Sequence, residues 1–122
     1  MSEAKQDRQY DVVVYGATGF TGKLVADYLA AQYGIDKDLR WAIAGRSESK
    51  LKSVRDAIGP EAAGLEIIVA DSADGSALDS LAQQTKVVLS TVGPYALYGS
   101  ELVRACVDAG TDYCDLAGEV QW

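Results

Sequence analysis

The sequence predicts an α/β fold, a doubly wound parallel sheet of about five strands, and two observations predict it. Five short apolar, β-branched runs recur along the chain, and amphipathic stretches of helical period separate them. Such strict alternation specifies βαβ units, hence parallel strands joined by right-handed crossovers.

The elements follow in order. YDVVVYG (10–16) has consecutive valines and suits a strand covered on both faces. FTGKLVADYLAAQYG (20–34) reads as a helix: Phe20, Leu24 and Tyr28 form one i, i+4 row, Val25 and Leu29 the adjacent one, and Gly34 sits at the C-terminal cap. LRWAIAG (39–45) is the second strand. SESKLKSVRDAIG (47–59) is the second helix, with Ser47 or Ser49 as N-cap, Leu51, Val54 and Ile58 on one face, and Gly59-Pro60 as its stop. LEIIVAD (65–71) is a third strand, SADGSALDSLAQQ (72–84) a shorter helix carrying Leu78 and Leu81, and KVVLSTVG (86–93) a fourth strand. YGSELVRACVDAG (98–110) places Leu102, Val103, Cys106 and Val107 inward on a helix, and TDYCDLAG (111–118) is the fifth strand.

Composition narrows the function. The formal net charge is −7, and no Lys/Arg cluster is present, which argues against a nucleic-acid partner and requires any phosphate site to be local. No apolar run approaches the roughly 18 residues of a membrane span, and the polar start MSEAKQDRQ is unlike a signal peptide, so residues 1–9 read as a disordered tail on a cytoplasmic domain of residues 10–122. Cys106 and Cys114 fit neither a disulfide framework nor a zinc pattern and read as core residues. There is no histidine, and no metal site is expected.

The loop GATGFTGKL (16–24) between the first strand and first helix admits two readings. An ATP-type phosphate loop needs G-x-x-x-x-G-K-[ST], but Ala17 stands where its first glycine belongs and Leu24 where the hydroxyl residue belongs. Gly16, Gly19 and Gly22 instead fit G-x-x-G-x-x-G, a variant of the dinucleotide fingerprint of a Rossmann-type sheet. Gly16 turns the chain off the strand, Gly19 lets backbone approach a pyrophosphate, and Gly22 permits close helix packing. Amides at Phe20 and Thr21 carry the positive end of the helix dipole toward the phosphates, with Thr18 and Thr21 as hydroxyl donors.

Which dinucleotide binds is read after the second strand, where NAD enzymes place a carboxylate for the ribose hydroxyls. Here the residues are AGRS. Arg46, Ser47 and Lys50 would neutralise a 2′-phosphate, which predicts NADP over NAD. The bland alternative is a surface Arg46 beside Glu48. Ligands of such sheets lie beyond the carboxyl ends of the strands. Asp71 and Ser72 therefore face the adenine, unless Asp71 is only a helix N-cap, and Gly93, Pro94 and Tyr95 face the nicotinamide side. Catalytic residues stay unassigned. There is no Tyr-x-x-x-Lys pair, and Tyr113, Asp115 and Glu119 read as solvated or structural.

VVVYGATGFTGKLVADYL, WAIAGRSESKL and STVGPYALYGSELVRACVDAGTDYCDLAGE together resemble the N-terminal domain of the saccharopine dehydrogenase-like oxidoreductases, which include bacterial trans-acting enoyl reductases. The ordered motifs GATGFTG, AGR, GPY and D-x-x-GE carry the resemblance over residues 10–122. It implies a nicotinamide-dependent oxidoreductase, with Gly16, Thr18, Gly19, Phe20, Thr21, Arg46 and Gly93 at cofactor-binding positions and an enoyl or lipid substrate. Family members are longer, so the chain is expected to be a fragment truncated before the substrate domain that binds cofactor without turnover. The alternative is a non-catalytic NADP-binding redox sensor. An open fifth-strand edge would also favour a homo-oligomer.

Overall fold

A computed structural model describes residues 8–35, 37–91 and 100–115. Strand β1 (Tyr10–Tyr15) leads into helix α1 (Phe20–Tyr33), β2 (Trp41–Gly45) into α2 (Glu48–Ile58), and a 3-10 turn (Pro60–Ala62) precedes β3 (Glu66–Val69). Helix α3 (Gly75–Gln83), β4 (Thr85–Ser90), α4 (Ser100–Ala109) and β5 (Asp112–Asp115) complete the described chain. All four strand pairings are parallel, and the order is β3-β2-β1-β4-β5. The predicted doubly wound sheet is therefore present. The chain begins at its centre, winds out to β3, and crosses back to the other side of β1, so the order reverses between β1 and β4.

Both faces of the central strand are sealed, which explains its valine run. Val14 packs with Ala26, Trp41, Ile43, Leu51 and Val54 on the α1–α2 side. Val13 packs with Ala42, Leu78, Leu81, Val88, Leu102 and Cys106 on the α3–α4 side. Fully burying each large aliphatic side chain contributes about 1.5–3 kcal/mol, so these two clusters hold the layers together.

Two helical faces differ from the sequence pattern. The row Phe20, Leu24 and Tyr28 is turned to solvent at 80%, 53% and 58% exposure, and α1 instead buries Gly22 and Ala26. Small side chains bring this helix close to its neighbours, and hydrophobicity does not mark them. Val107, expected inward, is 71% exposed, while Leu102, Ala105 and Cys106 carry the packing of α4. Cys106 is buried as expected and Cys114 is exposed. Burial pushes the Cys106 thiol up to about 11, against a smaller opposing pull from Arg8, so it is an inert core group.

Arg8, which falls within the polar tail of the sequence pattern, is buried. Its guanidinium donates to the carbonyls of Ala82 at 3.2 Å and Thr85 at 2.8 Å, to the carbonyl of Ala109 and to the Thr111 hydroxyl. Ala82 and Ala109 lie in the last turns of α3 and α4, where helix dipoles favour a cation.

Asp11 joins the same end of the sheet, accepting from Lys86 Nζ at 2.9 Å, from the Arg40 amide at 2.9 Å and from Arg40 Nη2 at 3.3 Å. Burial alone would raise its pKa, but these donors outweigh it and hold the carboxyl at about 2. A depressed folded-state pKa stabilises the fold above the ordinary carboxylate range and loses that contribution as pH falls toward 2. Asp11→Asn should thus cost about 1–2 kcal/mol at pH 7, discounted for partial exposure, and flatten the loss of stability between pH 4 and 2 in urea titrations.

Candidate functional site

The reversal point lies beside the carboxyl end of β1, and the glycine turn stands directly above it. Gly16 has φ +91°, in the region that favours glycine, and its amide donates to the Ala44 carbonyl at 2.9 Å. The chain thus turns off β1 while still tied to β2. Its carbonyl accepts from the Gly19 amide at 3.1 Å and from the Thr91 hydroxyl at 3.0 Å. Thr91, just past β4, also donates its amide to the Tyr15 carbonyl at 2.9 Å. It fastens the turn from the second wall of the cleft. Sequence reasoning passed over Thr91, whose only signal was its position directly after a strand that neighbours β1.

Gly22 meets a different constraint. A β-carbon there would lie 2.2 Å from the Gly16 carbonyl oxygen and 2.7 Å from the Ala17 α-carbon, both rigid backbone. The third glycine is therefore required by contact between α1 and the turn beneath it. Gly19 is the N-cap residue of α1 and offers no side-chain cap. The first intrahelical bond runs from Lys23 to Gly19, so the amides of Phe20, Thr21 and Gly22 have no acceptor among the described residues. They are open donors at the positive end of a helix dipole.

Beyond β2, Arg46 is exposed. It makes no ion pair with Glu48, which is engaged with Lys52 at 3.4 Å. Ser47 is the N-cap of α2, its hydroxyl accepting from the Lys50 amide at 3.3 Å. The Ser47 hydroxyl also shares a hydrogen bond of 3.3 Å with the Ser49 hydroxyl, in which either oxygen can donate. Lys50 borders a cleft of about 430 Å³ shared with Thr18, Lys23, Asp27, Ser53, Val54 and Ala57. Lys23, in the first turn of α1 and not among the predicted site residues, thereby joins the site. Its signal was spacing, since it follows the third glycine directly.

The cations divide into two groups. Arg40, Lys52, Lys86 and Arg104 are in ion pairs, and Arg8 and Arg55 are bonded to carbonyls. Among the described residues the side chains of Lys37, in the stretch between α1 and β2, and of Lys23, Arg46 and Lys50 have no such partner, and the last three lie at the carboxyl end of the sheet. In a chain of net charge −7, they form a local basic rim around the glycine turn.

Beyond β3, Asp71 is not the N-cap of α3. The N-cap of α3 is Asp74, which accepts from the Ala77 amide at 3.1 Å, whereas Asp71 accepts from the Ala73 amide at 2.9 Å within the preceding turn. Asp71 is exposed and Ser72 half-buried, just past the carboxyl end of β3. Beneath them the Tyr15 hydroxyl donates to the Ala70 carbonyl at 2.8 Å. Burial, then the Asp71 charge, push this phenol up to about 12, against smaller opposing contributions from Ser72 and Arg46. Gly93, Pro94, Tyr95 and Glu119 lie outside the described residues. Gly16, Thr18, Gly19, Phe20, Thr21, Gly22, Arg46, Ser47, Lys50, Asp71 and Ser72 all occupy the loops and helix starts at the carboxyl end of the sheet.

Known proteins resemble this chain in sequence and fold. The chain is 49% identical over 115 residues to a trans-acting enoyl reductase of Mycobacterium leprae, covering 94% of this chain and 27% of that protein. A trans-acting enoyl reductase of Mycobacterium ulcerans is 46% identical over 122 residues, covering 100% of this chain and 28% of that protein. The chain thus spans about a quarter of the length of the curated relatives it matches. Among solved structures, apo saccharopine dehydrogenase (L-Glu forming) from Saccharomyces cerevisiae superposes with a TM-score of 0.70 at 26% identity, over 89% of this chain and 22% of that one. A short-chain dehydrogenase/reductase from Veillonella parvula in complex with NADP shares the fold, with a TM-score of 0.65 at 17% identity over 87% of this chain and 46% of that one. The family model for the saccharopine dehydrogenase NADP binding domain matches residues 12–121, and the chain belongs to that family.

Proposed function

We propose that this chain binds NADP(H) in preference to NAD(H), as the cofactor domain of an oxidoreductase that transfers hydride to an electron-poor carbon–carbon double bond. The free basic rim carries the preference. Lys23, Arg46 and Lys50 have no side-chain partner among the described residues and lie at the starts of α1 and α2, and NAD enzymes have a carboxylate at the position of Arg46. A guanidinium there repels nothing on a ribose 2′-phosphate and can bond it in bidentate fashion. The open amides of Phe20 and Thr21 suit the pyrophosphate, and Asp71 with Ser72 suits the adenine. The names of the relatives support an enoyl substrate for a longer polypeptide in which these residues form the cofactor half. Hydride transfer needs the nicotinamide held against a polarised substrate, which is work for the part beyond this domain.

No helix among the described residues is long and apolar enough to cross a membrane, in keeping with the cytoplasmic placement we propose. β5 is one of the two outer strands of the described sheet, and we take its edge as the contact for a second copy.

Calorimetric titration should give tighter binding of NADPH than of NADH. Arg46→Ala should cost about 1.5–3 kcal/mol in NADPH affinity and leave NADH nearly unchanged. Equal affinity of the unaltered chain for both cofactors overturns the preference. With an enoyl substrate, the 122 residues should oxidise no NADPH, while the polypeptide extended to its relatives' length should; failure of the extended chain favours the redox-sensor reading. Light scattering should show dimers forming with concentration, and a monomer throughout would rule out the β5 contact.

A further inference from the structure

Tyr15 reaches farther than its place in the sheet requires. It pairs in register with Ala44 of β2, which pairs in turn with Ile68 of β3. Its hydroxyl nonetheless donates to Ala70, just past β3, so the side chain crosses an entire strand. Alanine at position 44 leaves the path open. Tyr15, Ala44 and Ala70 lie in one packed cluster, at 3%, 0% and 2% exposure.

The two ends of this crossing are both walls of the candidate site. At one end, Tyr15 is followed directly by Gly16, and its own carbonyl is held by Thr91. At the other, Ala70 is followed by Asp71 and Ser72. That turn is internally braced, since the Asp74 amide donates to the Asp71 carbonyl at 2.9 Å and the Ala73 amide to Asp71 Oδ1. It therefore behaves as a small rigid unit. Its moorings to the sheet are the Ala70 amide, which donates to Gly45 at 2.8 Å, and the Tyr15 hydroxyl.

We propose that Tyr15 is a positioning residue, a strut whose hydroxyl bond to Ala70 fixes the β3–α3 turn relative to the glycine turn and so sets the width of the adenosine end of the dinucleotide site. The inference rests on the dinucleotide-binding reading above. Its action is indirect: it holds Asp71 and Ser72 at the distance at which they meet the adenine. Because the 2′-phosphate is met from β2 and α2, the strut governs affinity for the adenosine portion without governing the choice between NADP and NAD.

Tyr15→Phe removes one oxygen and keeps the ring in its packed cluster. Titrated with NADPH, NADH and adenosine 2′,5′-bisphosphate, the variant should bind all three about five- to tenfold more weakly, as expected for one lost buried hydrogen bond. Asp71→Ala should weaken binding by the unaltered chain and add little in the Tyr15→Phe background, a non-additivity that general destabilisation does not produce. Unchanged affinities, a loss confined to NADPH, or full additivity with Asp71→Ala would each overturn the strut. Absence of binding by the unaltered chain would instead overturn the dinucleotide reading, and the strut with it.

Discussion

The carbonyl of Gly16 is the point around which the upper end of the molecule is arranged. It accepts from the Gly19 amide and the Thr91 hydroxyl, and it lies so close to Gly22 that a β-carbon there would be 2.2 Å away. One carbonyl thus closes the turn, ties β4 to β1, and sets how near α1 comes. The nearness has an electrostatic result. A helix that begins directly over the end of the central strand brings its first amides to the reversal of strand order, where an anionic ligand can reach them.

Charge is partitioned across the sheet. At the amino ends of the strands, Asp11 is neutralised by Lys86 and Arg40, and Arg8 is consumed by carbonyls. Along α4, Arg104 is shared by Asp79, Glu101 and Asp108. Among the described residues Lys37, before β2, has no side-chain partner, and neither have Lys23, Arg46 and Lys50, which lie together at the carboxyl ends. An acidic protein of net charge −7 repels polyanions at long range, yet this local rim can hold a small one at short range.

How much of this was legible beforehand depended on which signal each residue leaves. The strands were legible because a parallel sheet covered on both faces writes itself as consecutive apolar residues, as Val12, Val13 and Val14 do. Gly16 and Gly22 were legible because their spacing matches a motif with a steric rationale. The packing face of α1 was legible only in part: Val25 and Leu29 pack against the core as their row suggests, but Gly22 and Ala26 are its buried residues and Phe20, Leu24 and Tyr28 face solvent. The cap of α3 was not legible: Asp71 was the candidate, but Asp74 caps the helix, and hydrogen bonding is what separates them. Thr91 and the reach of Tyr15 depend on which strands become neighbours, and adjacency is not written locally.

Arg8 bears on where this unit of structure begins. The first strand starts at Tyr10, yet the guanidinium two residues earlier closes the ends of α3 and α4, helices drawn from the far half of the sequence. The amino terminus thus acts as a latch on elements made much later in synthesis. A domain boundary drawn at the first strand would cut that latch away, strip the guanidinium from the Ala109 carbonyl, and leave the Thr111 hydroxyl alone to serve the carbonyls of Ala82 and Thr85.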